Sequence, residues 1–176
     1  MQNSTTPAQY ILILIDMVEN EGCDRKRLLT GTSLADTELA SIGARINDTD
    51  FNQLVLNAQA LTGDTALGLK LGSRLNLSAH AILGQAFMTC QNLSQAMDLF
   101  LKYCHLLASG LHLEFETVDE QCVLTLVTTP TEVSSIEFAY ELLYGALINT
   151  LRGLLNAPDL ILRMEFPYPE PAHSAV

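Results

Sequence analysis

The sequence predicts an α+β fold: a helix-rich N-terminal half, then a β-hairpin, a long helix and one further strand. Two observations favour this class. Apolar residues recur at three- and four-residue spacings through most of the chain, which is the period of amphipathic helices. They alternate with polar residues only in short stretches toward the C-terminus, which is the period of strands. With 176 residues, 48% of them apolar, the chain is long enough for one domain with a sizeable core.

The N-terminal half contains helix start and stop signals in sequence order. A helix is predicted from Thr6-Pro7 to just before Gly22, and Asp24 is expected to cap a short second one. A third helix should begin with Asp48 or Thr49 as its cap. Its apolar side chains share one face, namely Phe51, Leu54, Val55, Ala58 and Leu61.

The C-terminal half alternates between helix and strand patterns. We expect an amphipathic helix from about Ser94 to Ser109 and a hairpin whose strands lie within 111–116 and 122–128. A long helix should follow from about Glu132 to Asn156, and then a third strand over Leu160–Phe166. These strands are predicted to form one small antiparallel or mixed sheet.

The most distinctive stretch runs from Leu67 to Leu113. It contains short apolar helices separated by glycine and polar residues, at Leu67–Gly72, Ile82–Met88 and Asn92–Tyr103, followed by Gly110-Leu111-His112-Leu113. In the order and spacing of its glycines and apolar residues, it resembles the N-terminal effector-sensing half of AraC/XylS-type bacterial transcription regulators, usually labelled an arabinose-binding-like domain. The resemblance extends roughly from Ile11 to the Pro167-Tyr168-Pro169 segment.

The resemblance implies a cytoplasmic domain that binds a small effector, forms a homodimer and controls helix-turn-helix motifs. We expect residues 1–166 to form this effector-sensing and dimerisation domain. Residues 167–176 are then a proline-rich tail leading toward further elements and a DNA-binding domain that this chain lacks. The cupin-like barrel of the arabinose regulator itself is not expected, since helices dominate here.

Charge and hydropathy limit the partners. The net charge is −11 and the nine basic residues are scattered, so phosphate backbones should repel the chain. DNA is therefore expected as a partner only through the missing C-terminal domain. The apolar run Tyr10–Ile15 ends at Asp16, well short of the ~20 residues that a membrane span needs. No membrane association is expected.

Six side chains are candidate ligand-binding residues: Phe87, Tyr103, Phe115, Tyr140, Arg74 and Arg163. The aromatic ones are expected to line a pocket between the helices around Phe87 to Tyr103 and the strands that carry Phe115 and Met164, or else to be ordinary core residues. The two arginines lie among apolar neighbours. They either form salt bridges or bind an effector carboxylate through two parallel hydrogen bonds.

The long helix is the predicted dimer contact, because it is apolar on two faces. Its outer side carries Tyr144, Ile148 and Leu155, and Gly145 would allow close approach of another backbone, either a neighbouring helix or a second subunit. Gly153 in the same helix has two interpretations, local fraying or a similar close approach.

No catalytic residue, metal site or cofactor is predicted. Phosphate loops, dinucleotide fingerprints and hydrolase or zinc-protease motifs are lacking. The residues that could bind a metal lack ligand spacing: His80, Cys104, His105, His112 and Cys122. Three hypotheses stay open at this point: a small-molecule sensor domain, a dimerisation module with no ligand site, and a small enzyme.

Overall fold

The structure is a computed structural model. It describes residues 5–34, 39, 41, 43–107, 112–119, 121–128, 136–157 and 163–175. Its α-helices, in chain order, are α1 (Ala8–Asn20), α2 (Arg25–Leu28), α3 (Asp48–Thr62), α4 (Leu67–Arg74), α5 (Ala81–Met88), α6 (Leu93–Tyr103) and α7 (Ile136–Leu155). Its strands are β1 (Thr5–Pro7), β2 (Arg45–Asn47), β3 (His112–Val118) and β4 (Gln121–Thr128). Short 3₁₀ turns cover Leu77–His80, Cys104–Leu106 and Ala172–Ala175. The predicted α+β class is confirmed.

The strands form two separate two-stranded antiparallel sheets rather than one sheet. β1 pairs with β2, which joins the start of α1 to the start of α3. β3 and β4 form the predicted hairpin, with His112 opposite Thr128 and Asp119 at positive φ in the turn. Of the predicted third strand, residues 160–162 lie outside the described part of the chain, and Arg163–Phe166 has no strand structure. Phe166 packs its ring on Tyr144 instead, at 5.2 Å between centroids.

Helix ends follow the local signals, with small shifts. Gly63 ends α3 at φ 66°, in the left-handed conformation with which glycine commonly ends a helix. The N-cap of α3 is Asn47 rather than Asp48 or Thr49, because its side chain accepts a hydrogen bond from the Asp50 backbone amide. α6 ends at Tyr103, before the predicted Ser109, and continues as a 3₁₀ turn.

The buried side chains of the described residues form two hydrophobic cores. The first lies among α1, α3, α4 and the first part of α7, and includes Ile11, Leu14, Leu54, Leu71 and Phe138. The second lies among α5, α6 and the hairpin, and its buried members are Leu83, Phe87, Ala96, Met97, Phe100, Cys104 and Leu113. α7 contacts both, because Leu142 and Ala146 pack on the first core while Leu143 and Leu147 pack on the second.

α4 crosses α7 with their backbones in contact. A Cβ on Gly68 would lie 2.6 Å from the Phe138 carbonyl oxygen, and one on Gly72 would lie 2.5 Å from the Leu142 carbonyl oxygen. Gly145 completes the contact from the α7 side, since its own Cβ would lie 3.0 Å from the Leu69 carbonyl oxygen. Glycine at these positions therefore sets the distance between the two helices.

Candidate ligand-binding cavity

A cavity of about 130 Å³ lies between the two cores. One apolar wall is formed by residues that belong to the first core or pack on it, namely Phe51, Leu75, Phe138, Leu142 and Ala146. The facing wall contains residues of the second core, or packed on it, namely Phe87, Leu93, Ala96, Met97, Phe100, Leu107, Leu126, Leu143, Leu147 and Leu154. The size is comparable to that of an engineered apolar cavity of about 150 Å³ that binds benzene. Ala139 and Leu151 of α7 complete the apolar lining.

A buried hydrogen-bond chain crosses one part of the wall. The Tyr10 hydroxyl lies 2.7 Å from His80 Nδ1, and His80 Nε2 lies 3.0 Å from Thr150 Oγ1. Burial lowers the pKa of the His80 imidazole to about 4, so the ring is neutral near pH 7. A neutral imidazole has one donor and one acceptor nitrogen, so one hydroxyl donates to the ring and the other accepts from it. Burial also raises the pKa of the Tyr10 hydroxyl well above its usual range, which outweighs the opposing effect of Arg45.

Thr6, Asp48 and Asn52 supply the other polar groups of the wall. The buried Thr6 hydroxyl donates to Asp48 Oδ1 at 2.9 Å. Asp48 and Asn52 are four residues apart in α3 and so share a helix face, and both side chains are half-buried. Because Thr6 precedes Tyr10 by four residues, the start of α1 connects these groups to the His80 chain.

None of the nine lysines and arginines, all of which the structure describes, lines the cavity. Arg45, which acts on Tyr10 through its charge, donates its side chain to Thr5 Oγ1 at 2.8 Å and to the Thr5 carbonyl oxygen. Asp48 is thus the one formally charged side chain among the described lining residues near pH 7.

Of the six candidate binding residues predicted from the sequence, Phe87 lines the cavity. The structure describes the other five and places them outside it. Tyr103 is half-buried on the second core, beside the Lys102 ammonium. Phe115 is 37% exposed on the hairpin, and Tyr140 packs against Tyr144 and Tyr168. The predicted grouping of aromatic side chains in one pocket therefore does not form here.

The two candidate arginines lie at the surface. Arg74 is 3.8 Å from Asp16, and Arg163 is 2.8 Å from Glu165, in each case between a guanidinium nitrogen and a carboxylate oxygen. Both side chains are more than half exposed. Each arginine therefore forms an ion pair at the surface.

The predicted dimer contact is only partly at the surface. Gly145 is buried against Gly72 and the backbone of α4, so its close neighbour is a helix of the same chain and not a second subunit. Tyr144 is covered in part by Phe166. Ile148 is half-buried, and Leu155 is 39% exposed. Gly153 faces open space.

A second polar cluster, which sequence reasoning missed, joins the C-terminal segment to α7. Glu141 is buried, and its Oε1 lies 2.6 Å from Nε2 of His173, while Nδ1 of His173 lies 3.0 Å from Thr65 Oγ1. Among the described residues, Glu141 Oε2 has no hydrogen-bond partner. Beside this cluster, the pKa of Tyr168 is raised to about 12, first by burial and then by the charges of Glu141 and Glu137.

The polar lining of the cavity was also missed, although part of its signal was present. Tyr10 and His80 are polar residues within apolar stretches, which indicates a buried hydrogen-bonding role. Their pairing across 70 positions has no local signature. Within the described part of the chain, no cluster of His, Cys, Asp or Glu could hold a metal ion, and no helix could span a membrane.

Comparison with known proteins identifies the type of domain. Residues 22–176 match the family model described as the arabinose-binding domain of AraC transcription regulators, N-terminal. The chain belongs to this family. The family consists of transcription-regulator domains and is not an enzyme class.

A curated relative supports the assignment. The chain is 38% identical over 168 residues to the ornithine utilization regulator of Pseudomonas aeruginosa, a bacterial protein. The match covers 96% of this chain and 50% of that protein, so the AraC-type domain described here spans about half the length of the curated relative.

Proposed function

We propose that this AraC-type domain binds a small effector in the cavity between its two cores and so controls DNA-binding motifs attached to it in a full-length regulator. The observation that supports this best is the cavity itself. It combines a largely apolar wall with a few polar groups, which is the usual composition of a small-molecule site. Residues 1–166 are proposed as the sensing domain, in the cytoplasm, and 167–176 as the segment leading onward.

The position of the cavity suggests how occupancy is transmitted. A ligand between the two cores buries apolar surface of both. This burial contributes roughly 25 cal/mol of favourable free energy per Å², and so couples the cores. α7 lines the cavity through Leu142, Leu147 and Thr150, and it contacts the C-terminal segment through Tyr140 and Glu141. A change in the packing of α7 is therefore passed to the segment that follows it.

A cavity-filling variant tests the proposal. We expect Ala96→Leu, which adds three carbon atoms to a buried wall of α6, to fold and to lose effector binding. Native mass spectrometry of the purified protein measures a retained small molecule, and a rise in Tm with added metabolites measures binding to the folded state. The metabolite set includes ornithine, because the relative is named for its utilization.

Ala60→Leu is the matched control, because Ala60 is exposed on α3 and does not line the cavity. It should retain binding. If the unaltered protein retains no small molecule and no metabolite raises its Tm, the sensor proposal is wrong, and the domain is better described as a dimerisation module.

A further inference from the structure

We propose that the cavity selects an uncharged carbonyl compound with an apolar body, whose oxygen accepts a hydrogen bond from the chain formed by Tyr10, His80 and Thr150. This rests on the proposed function, because it names the chemical class of ligand for the same cavity. Three properties of the wall support it: the number of protons in that hydrogen-bond chain, the position of the charged groups and the apolar lining.

The hydrogen-bond chain contains one proton more than it uses. Tyr10 and Thr150 each have a hydroxyl proton and the neutral ring of His80 has one more, but two hydrogen bonds join the three side chains. If Tyr10 donates to Nδ1, the Nε2 proton is donated to Thr150, and the Thr150 proton is left over. If Thr150 donates to Nε2 instead, the Tyr10 proton is left over. A charged ring would leave both hydroxyl protons over, so this surplus proton does not depend on the charge of His80.

The surplus proton has no acceptor in the part of the chain that the structure describes. Tyr10 is buried, and His80 is the one described hydrogen-bond partner of its hydroxyl. Thr62 in α3 donates to the carbonyl oxygen of Ala58, four residues earlier. The Thr150 hydroxyl has only His80 among the described residues.

A donor that is buried without an acceptor is unfavourable, so this surplus indicates a missing partner. Tyr10, His80 and Thr150 all line the cavity, and we therefore assign that partner to an oxygen of the ligand. A carbonyl oxygen suits this role because it accepts a hydrogen bond without adding a proton or a charge of its own.

The charges of the wall favour an uncharged ligand. Every lysine and arginine of the chain is described, and none of them lines the cavity. A carboxylate or phosphate would therefore lose its hydration without gaining an opposite charge, which is strongly unfavourable. The carboxylate of Asp48 already accepts from the Thr6 hydroxyl and has a further interaction, so an ammonium group would compete with existing contacts.

The rest of the wall sets the body of the ligand. Apolar side chains form most of it, with Phe87, Met97 and Phe100 on one side and Phe138 on the other. A sugar would leave most of its hydroxyl groups unpaired against these side chains. The volume of about 130 Å³ fits a body of about the size of a benzene ring.

Compounds of similar shape separate the possibilities. Cyclohexanone has the carbonyl oxygen, and methylenecyclohexane has a methylene group in its place. Cyclohexylamine is a cation at pH 7, and cyclopentanecarboxylate is an anion. Isothermal titration calorimetry on the full chain at pH 7 should show that cyclohexanone binds more tightly than either charged compound, by a factor on the order of tenfold or more.

The double variant Tyr10→Phe/Thr150→Val removes both hydroxyl groups and nearly preserves the shape of the wall. It should weaken cyclohexanone by roughly fivefold to tenfold and leave methylenecyclohexane unchanged. Tyr103→Phe/Thr125→Val is the matched control, because it makes the same chemical changes at two described residues that do not line the cavity. It should leave all four affinities unchanged. An equal loss of affinity for cyclohexanone and methylenecyclohexane in the first variant would overturn the proposal.

Infrared spectroscopy tests the hydrogen bond on the unaltered protein, even if the double variant does not fold. The carbonyl stretch of bound, isotope-labelled cyclohexanone should lie at a lower wavenumber than in cyclohexane solution, because accepting a hydrogen bond weakens the carbonyl bond. An unshifted stretch, or equal or tighter binding of a charged compound, would overturn the ligand class and leave the sensor proposal standing. If none of the four compounds binds, the ligand class is wrong, and the small molecule retained by the purified protein decides the sensor proposal separately.

Discussion

His80 shows how one buried residue links the cavity to the stability of the domain. The residue is 5% exposed, and its ring joins Tyr10 of α1 to Thr150 of α7. Because burial lowers its pKa from 6.5 to about 4, the unfolded chain binds one proton more than the folded one between these pH values. The histidine contribution to stability is therefore present above pH 6.5 and is lost as the pH falls toward 4.

We expect the titration of this single residue to lower the free energy of unfolding by about 3 kcal/mol as the pH falls from 7 to 4. Urea unfolding of the unaltered protein and of His80→Gln at several pH values measures it. Glutamine does not titrate in this range, so the variant should lose less stability on acidification, although carboxylates contribute equally in both proteins. Identical pH profiles would show that His80 is not buried as a neutral group.

At the level of single residues, the sequence predicts burial better than it predicts the site. The sequence predicts Phe87 as one of four aromatic residues that line a pocket, and Phe87 does line the cavity. Arg74 is a candidate because its sequence neighbours are apolar, yet its long side chain extends to the surface, 3.8 Å from Asp16. The polar wall depends on contacts such as Tyr10 with His80, and local spacing contains no information on contacts so distant in sequence.

Among the elements, α7 combines two glycines that have opposite environments. A Cβ added at Gly153 would meet nothing within 4 Å, and its φ lies outside the left-handed region, whereas Gly145 and its neighbour Gly72 on α4 lie in backbone contact. The sequence marks both glycines of α7 as unusual for a helix. It does not distinguish them, since the difference lies in what packs against each one.

We expect Gly153→Ala to stabilise the domain by up to about 1 kcal/mol, because alanine favours the helix and meets no obstacle. Gly72→Ala should destabilise it by about 1–3 kcal/mol, since its methyl group would overlap the Leu142 carbonyl oxygen. Chemical unfolding of the two variants measures both effects. A Gly72→Ala protein as stable as the unaltered one would mean that α4 and α7 do not lie in backbone contact.

The hairpin, the long helix and the amphipathic helices are confirmed because each is determined by residues close together in sequence. The third strand is the exception. Its alternating pattern also suits a segment whose aromatic side chains pack on a helix, as Phe166 and Tyr168 do on α7. Which of these forms depends on whether a sheet edge or a helix face is the nearest apolar surface.

For the whole molecule, we propose a homodimer in which the partly exposed side of α7 is the contact. Ile148 and Leu155 are seven residues apart, two helical turns, and so lie on one face. Ile148→Glu would place a charge in such a contact and should give a monomer, measured by light scattering at micromolar concentration. Leu56→Glu is the control, because Leu56 is 47% exposed on α3.

A monomeric unaltered protein would reject the dimer. A dimer that persists in Ile148→Glu would locate the contact on another surface. Either result is independent of the cavity, since neither Ile148 nor Leu155 lines it.

Where α4 crosses α7, the close backbone contact restricts which changes the glycine codons can tolerate. A single-base change at the first or second codon position of Gly68, Gly72 or Gly145 introduces a side chain at a place where another backbone is already in contact. Leucines of the same core can be exchanged for methionine or isoleucine at modest cost. A saturation-mutagenesis library selected for folding should therefore recover few substitutions at these three codons and many at Gly153, although all four encode the same residue in a helix.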